Sequence, residues 1–150
     1  MPKLVISVRG GGVNFKIRSS LGKVLQQGLI SAAKATEAWI FTNGLNRGVS
    51  KQVGNLLSNQ RLTGFKRGQV VSIGISTWGI VEHRKELIGR DHERNYSMLE
   101  HSDSKFVPLN PRHSNFLLVD NGTVGKWGKE SFFRKRLLTY LSNFPTSSSE

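Results

Sequence analysis

The stretch VVSIGISTWG, residues 70–79, is a β-branched apolar run that stops at a turn containing glycine. Three other segments repeat this pattern: KLVISVRGGG at 3–12, AWIFTNG at 38–44 and NFLLVDNGT at 115–123. Continuous apolar runs are typical of strands that are buried on both faces of a parallel sheet. In open sheets of this kind, ligands bind outside the carboxyl ends of the strands. The sequence therefore predicts a parallel α/β fold with a ligand site at that edge.

Three helices are predicted around these strands, joined by right-handed crossovers. The first starts at Ser19 or Ser20 and ends near Thr36, and the second starts near Gly48. The third runs from about Glu130 to Ser142. Helical spacing predicts that the following side chains pack on the sheet: Leu21, Val24, Leu25, Gly28, Leu29 and Ala32 from the first helix; Val49, Val53, Leu56 and Leu57 from the second; Phe133, Leu137, Tyr140 and Leu141 from the third.

The remaining segments show no regular period. Residues 59–68 are polar and basic, which is typical of a loop. Residues 78–114 hold all four histidines and are expected to form a long, partly ordered insertion with a short helix near 82–88. We expect one domain over residues 1–142, followed by a disordered serine-rich tail at 143–150.

The charge is unevenly distributed along the 150 residues. The formal net charge is +12, and residues 1–75 contain 11 Lys or Arg against one acid, Glu37. A basic surface of this kind attracts phosphates, nucleic acid or an acidic partner. No apolar run approaches the roughly 20 residues that a membrane helix needs. The absence of cysteine excludes disulfides and thiolate metal sites, and the chain is interpreted as cytoplasmic, without membrane insertion.

The first two glycine turns form the strongest candidate site. Gly10 and Gly11 can present backbone N–H groups, and Gly44 and Gly48 precede a helix N-terminus, which favours phosphate. Two arginines at the same end of the sheet, Arg9 and Arg47, can clamp a diphosphate. The fourth turn adds Gly122 and Thr123, whose hydroxyl can donate to a phosphate or ribose oxygen.

Catalytic and metal-binding patterns are weak. The histidines lack metal-ligand spacing, and neither GxGxxG, GxxxxGK[ST] nor GxSxG occurs. The tryptophans at 39, 78 and 127 are expected to pack in the core or against turns. We therefore predict no metal site and no enzyme activity.

Five motifs, in order, resemble the N-terminal cytosolic region of melastatin-type transient receptor potential (TRPM) cation channels. They are KLVISVRGGGVNF at 3–15, GLISAAKATEAWIFTNG at 28–44, GVSKQVG at 48–54, IGISTWGIV at 73–81 and FLLVDNGTVGKWG at 116–128. The resemblance implies a Rossmann-like SLOG domain over residues 1–142, incomplete at its C-terminus. Two positions depart from the family pattern: Arg9 replaces a histidine, and Asn43 replaces a glycine.

The resemblance also implies a function. It predicts a regulatory domain on the cytosolic face of a calcium-permeable, tetrameric channel, whose other domains are its partners. It implies ADP-ribose or a related nucleotide as ligand, with no cofactor required. Carried over by motif, the ligand-facing positions are Gly10, Gly11, Thr42, Gly44, Gly48, Gly122, Thr123 and Arg136.

Two other functions remain open at this stage. One is a small nucleotide-processing enzyme related to phosphoribohydrolases, with Glu130 as its acid, although NGTVGKWGKE lacks the paired glycine of that family. The other is a basic nucleic-acid-binding protein, which the charge alone supports.

Overall fold

The computed structural model describes residues 1–61, 69–91, 93, 95–96 and 104–144. It contains four strands: β1 (Val5–Ser7), β2 (Trp39–Thr42), β3 (Ser72–Thr77) and β4 (Asn115–Val119). The helices are α1 (Ser19–Ala35), α2 (Gly48–Arg61) and α3 (Ser131–Ser142). All neighbouring strands pair in parallel, in the order β1-β2-β3-β4. This arrangement confirms the predicted Rossmann-like α/β fold.

The two faces of the sheet are covered by different elements. Ile40 of β2 packs with Ile30 and Ala33 of α1 and with Val53 and Leu57 of α2. The next residue, Phe41, points to the opposite face and packs in a cluster with α3, through Leu137, Leu138 and Leu141. Successive strand residues alternate between faces, so α1 and α2 share one layer and α3 forms the other.

The described parts of the segment between β3 and β4 contain turns and buried side chains. Short 3-10 turns occupy Trp78–Ile80 and Arg84–Leu87, and the second lies within the region where a short helix was expected. Val81 bridges Val107, and both side chains are fully buried. The Tyr96 hydroxyl donates to the Glu82 carbonyl at 2.6 Å and accepts from the Leu109 N–H at 3.1 Å. These described flanks therefore build a third apolar cluster beside β4.

Two helices are rotated relative to the predicted orientation. In α1, Leu29, Ile30 and Ala33 face the core, whereas Leu21, Val24 and Leu25 are exposed. A Cβ on Gly28 would meet no atom within 4 Å, so this glycine does not serve close contact with a strand. The stripe that was expected to pack on the sheet is thus largely a second apolar face of the helix.

In α3, the predicted contacts of Phe133 and Tyr140 are also wrong, since these side chains are 40% and 59% exposed. The core-facing row instead contains Arg134, which is 4% exposed, together with Leu137, Leu138 and Leu141. A charged residue therefore occupies a position on the row of α3 that faces the sheet.

Other boundaries are close to expectation. Residues 59–61, predicted as loop, continue α2, while 62–68 lie outside the described residues, as do 145–150 of the predicted tail. Among the described residues, no helix is long and apolar enough to span a membrane.

Candidate functional site

A cleft opens at the carboxyl edge of the sheet, where the first two turns meet the start of α3. Its inner part has a volume of about 180 Å³, and an outer part of about 710 Å³ adjoins it. Both parts are lined by Gly10, Asn43 and Glu130, so they are adjacent to each other. The inner part adds Arg9 and Arg134 among its walls, and the outer part adds Arg47 and Trp127.

The first turn reaches α2 because its glycines allow close approach. A Cβ on Gly10 would lie 2.2 Å from Cγ2 of Val49. A Cβ on Gly48, whose φ is +55°, would lie 2.1 Å from the carbonyl oxygen of Gly11. The Gly48 N–H donates to Oδ1 of Asn14 at 3.0 Å, and the Val49 N–H donates to the Gly11 carbonyl at 3.4 Å. These glycines fix the two turns against each other.

Arg134 is the buried cation of the cleft. Its Nη2 donates to the carbonyls of Thr42 and Ile75, which end β2 and lie near the end of β3. Its Nε is buried and makes no hydrogen bond within the part of the chain that the structure describes. Burial lowers the pKa of Arg134, the nearby charge of Arg9 lowers it further, and Glu130 opposes both effects.

Glu130 brings a carboxylate to the same walls. Its Oε2 accepts a hydrogen bond of 2.5 Å from the hydroxyl of Thr77, and that hydroxyl accepts from the Lys129 N–H at 3.1 Å. The cleft thus combines cationic side chains with one oriented acceptor. An anion with an attached hydroxyl group matches this combination, because guanidinium groups bind phosphate and a carboxylate accepts from hydroxyls.

Three of the ten predicted site residues line the cleft: Arg9, Gly10 and Arg47. Gly11, Thr42 and Gly48 lie beside it and hold its walls together. The other four lie elsewhere. Gly44 packs against Gly74 of β3 and the ring of Phe116. Gly122 and Thr123 form a turn with hydrogen bonds to the side chains of Asp120 and Asn121, and it packs against Gly79. Arg136 is exposed on α3 against the ring of Phe132.

The sequence analysis missed Arg134, Asn43 and Trp127 as cleft residues. Trp127 was expected to pack in a turn, but it is 45% exposed at the cleft wall. Arg134 had one detectable signal: it stands three, four and seven residues before Leu137, Leu138 and Leu141, on the apolar row of its helix. Among the described residues, no group of three or more His, Cys, Asp or Glu is arranged to hold a metal ion.

Thr42 belongs to a buried polar network below the cleft. Its hydroxyl lies 2.8 Å from the hydroxyl of Ser50 and 2.7 Å from Nε2 of His113, and it accepts from the Gly44 N–H at 2.8 Å. Burial lowers the pKa of His113 from 6.5 to about 4, although a backbone hydrogen bond with Asn110 opposes the shift.

We expect this histidine to make the folded chain sensitive to acid. Because its pKa is lower in the folded state, the unfolded chain binds the extra proton between about pH 6.5 and 4, and the free energy of unfolding falls as the pH decreases through that range. The loss approaches about 3 kcal/mol. Urea denaturation between pH 7 and 4 measures it, and His113→Gln should flatten the profile. An equally steep profile for that variant would contradict the assignment.

The parallel sheet, its glycine turns and the arginine-lined cleft define a Rossmann-like domain with a basic site at the carboxyl edge. Residues 1–149 match the family described as "SLOG in TRPM". The chain therefore belongs to the SLOG domain family of TRPM channels, as its motifs predicted.

Several curated proteins are similar to it. The chain is 49% identical over 145 residues to the transient receptor potential cation channel trpm of Drosophila melanogaster. It is 44% identical over 142 residues to subfamily M member 6 of Homo sapiens, and 44% over 137 residues to subfamily M member 7 of Homo sapiens. These alignments cover 95%, 95% and 91% of the chain, but only 7% of each relative.

Proposed function

We propose that this chain is a regulatory, ligand-sensing domain of a calcium-permeable TRPM channel, and that its cleft binds ADP-ribose or a related nucleotide diphosphate. The observation that carries the proposal is Arg134. A buried guanidinium that is 4% exposed, on the wall of a cavity and with a second arginine nearby, is suited to an incoming anion. A phosphate group in this cavity would offset the repulsion between Arg134 and Arg9.

The geometry also supports a particular ligand class. Arg9 and Arg134 line the inner cavity and Arg47 lines the outer one, so cations occur along the length of the cleft. The diphosphate of a nucleotide can contact both parts of the cleft, and the ribose hydroxyls of the same nucleotide can donate to Glu130. The indole of Trp127 at the outer wall offers an apolar surface to a base.

Calorimetric titration with ADP-ribose tests the proposal. We expect a dissociation constant in roughly the micromolar to millimolar range. Arg47→Ala should weaken binding by about 1.5 to 3 kcal/mol, because a charge-assisted hydrogen bond is lost. The matched control is Arg90→Ala, since Arg90 is an exposed arginine that pairs with Asp91 away from the cleft. Equal losses in both variants would show that general basic charge, and not the cleft, attracts the ligand.

The second candidate, a phosphoribohydrolase-like enzyme, is favoured by one observation, the position of Glu130 in the cleft. We expect no turnover, because the Glu130 carboxylate is engaged by Thr77. The two serines that line the cleft, Ser50 and Ser131, have no side-chain hydrogen bond to a histidine or a carboxylate among the contacts described for them. Incubation with AMP, other nucleoside monophosphates and ADP-ribose, followed by chromatography, measures this. Hydrolysis that disappears in Glu130→Gln would establish the enzyme instead.

A further inference from the structure

Ser50 places a buried hydroxyl group at the cleft. It lies in the first turn of α2, is 2% exposed, and lines the inner part of the cleft together with Arg9 and Arg134. Its Oγ lies 2.8 Å from Oγ1 of Thr42, and no other hydrogen-bond partner of that oxygen occurs among the described residues. A hydroxyl group both donates and accepts, so part of its capacity is left for an occupant of the cavity.

The backbone of Ser50 offers a second donor. At the start of α2, the N–H groups of Gly48, Val49 and Lys51 all donate to acceptors that lie outside the helix. Within the part of the chain that the structure describes, the N–H of Ser50 has no such acceptor. The unpaired donor of this helix N-terminus therefore belongs to the residue that lines the cavity.

Thr42 determines which way the hydroxyl hydrogen of Ser50 points. The Thr42 hydroxyl has one hydrogen and two lone pairs, and one lone pair accepts from the Gly44 N–H at 2.8 Å. Its two other neighbours are Oγ of Ser50 at 2.8 Å and Nε2 of His113 at 2.7 Å. Thr42 must therefore donate to one of these two atoms and accept from the other.

Two proton orders follow from this count. In the first, Ser50 donates to Thr42 and Thr42 donates to an unprotonated Nε2 of His113, so Ser50 offers only lone pairs to the cavity. In the second, the Nε2–H of His113 donates to Thr42 and Thr42 donates to Ser50, so the Ser50 hydrogen is free for the cavity. Burial lowers the pKa of His113 to about 4, so near pH 7 the ring carries a single proton on one of its two nitrogens.

The other ring nitrogen leaves this choice open. Nδ1 of His113 is buried and makes no hydrogen bond with the described residues, whichever tautomer is present. A bound group at Ser50 can therefore select the order. A phosphodiester oxygen carries no proton at neutral pH, so it accepts hydrogen bonds, and only the second order supplies it with the Ser50 hydrogen.

We propose that a phosphate group in the inner part of the cleft accepts the hydroxyl hydrogen of Ser50 and thereby places the ring proton of His113 on Nε2. This rests on the proposed function in one respect, that the occupant of the cleft carries phosphate. Ser50 is a binding residue, and Thr42 and His113 are positioning residues that act through it.

The network carries the state of the cleft to the segment before β4. That segment is bonded to the second turn, because the Asn46 N–H donates to the Pro108 carbonyl and the Asn110 N–H donates to the Gly44 carbonyl, both at 2.8 Å. His113 belongs to the same segment and is 3% exposed. The two proton orders form a two-state element, so occupancy of the cleft is registered at a buried side chain behind it.

¹⁵N NMR of the histidine rings at pH 7 tests the proposal on the unaltered chain. The signals of His113 are assigned by their loss in His113→Gln, and inorganic diphosphate and ADP-ribose are titrated separately. We expect the His113 ring signals to move and saturate with the ligand, and the proton to be on Nε2 in the complex. A saturated complex with the proton on Nδ1 would overturn the proposal.

A pair of serine variants on the same helix provides the second arm. Ser50→Ala should weaken the binding of inorganic diphosphate by about tenfold or more, because a hydrogen bond to a charged group is lost. Ser58→Ala is the matched control and should bind like the parent chain, since the Ser58 hydroxyl donates to the Asn55 carbonyl at 2.8 Å away from the cleft. Unchanged binding by Ser50→Ala would overturn the proposal.

The two probes separate this proposal from the proposed function. Binding of diphosphate that depends on Ser50, without binding of ADP-ribose, would contradict the proposed function and support the role of Ser50. Binding of ADP-ribose that Ser50→Ala leaves unchanged would do the reverse. Failure of both probes to bind would overturn both.

Discussion

Arg134→Ala is expected to lower the free energy of unfolding by about 2 to 4 kcal/mol, and the melting temperature by about 5 to 15 °C. Arg134 connects α3 to the ends of two strands by donating to the carbonyls of Thr42 and Ile75. Removal of the side chain leaves both buried acceptors unsatisfied and opens a void. The substitution also removes the cost of burying a charged side chain, and this offsets part of the loss. We therefore expect less destabilisation than the largest values that follow from breaking a buried ion pair.

The matched control stands two residues further along the same helix. Arg136 is exposed and contacts only the face of Phe132, with its Cζ 5.7 Å from the ring centroid, among the contacts described for it. Arg136→Ala should therefore cost less than about 1 kcal/mol. Calorimetric melting of both variants decides the matter. Equal destabilisation would mean that Arg134 does not connect helix and sheet in the way its hydrogen bonds indicate.

Gly44→Ala is expected to lower the free energy of unfolding by about 2 to 4 kcal/mol. A Cβ on Gly44 would lie 2.6 Å from Cα of Gly74 and 3.1 Å from the ring of Phe116. The backbone at Gly44 has a φ of +70°, which a residue with a side chain adopts only with strain. Neither the backbone of Gly74 nor the packed ring can move without disturbing β3 and β4.

Two other glycines serve as controls, which separate the effect of backbone strain from the effect of steric contact. Gly122 has a φ of +76° but open space around it, so Gly122→Ala should cost only the strain, about 1 kcal/mol. Gly28 is helical and unobstructed, so Gly28→Ala should stabilise the chain by about 0.5 to 1 kcal/mol. Urea denaturation gives the ranking. If Gly44→Ala left stability unchanged, the close contact between the second turn and β3 would be disproved.

The strands were predictable because each one is a continuous apolar run with a turn behind it. The side chains of Ile40 and Phe41 are both fully buried, on opposite faces, which is what the absence of alternation in AWIFT indicated. The helices were predictable in position but not in rotation. In α1, apolar residues occupy two faces, and composition alone does not decide whether Val24 or Ile30 contacts the sheet.

The cleft was predictable in location, and only partly in the residues that line it. The carboxyl edge follows from parallel strands, and Arg9 and Arg47 follow from the turns. Arg134 was missed because its partners are the main-chain carbonyls of Thr42 and Ile75. Every residue has such a carbonyl, so a sequence does not indicate which carbonyls accept a hydrogen bond from a side chain. A glycine needed for packing and a glycine needed for ligand approach have the same appearance in a sequence, so the sequence did not indicate that Gly44 packs against Gly74 and Phe116.

The central claim is that the buried guanidinium of Arg134 meets the anionic part of a nucleotide diphosphate. The most direct test follows the Nε–H resonance of Arg134 by ¹⁵N NMR while ADP-ribose is added, with assignment from Arg134→Lys. We expect this signal to move and saturate together with the amide signals of Gly10 and Asn43, which line the same cleft. Saturable binding that leaves the Arg134 Nε–H signal unchanged, or no binding at all, would contradict the account.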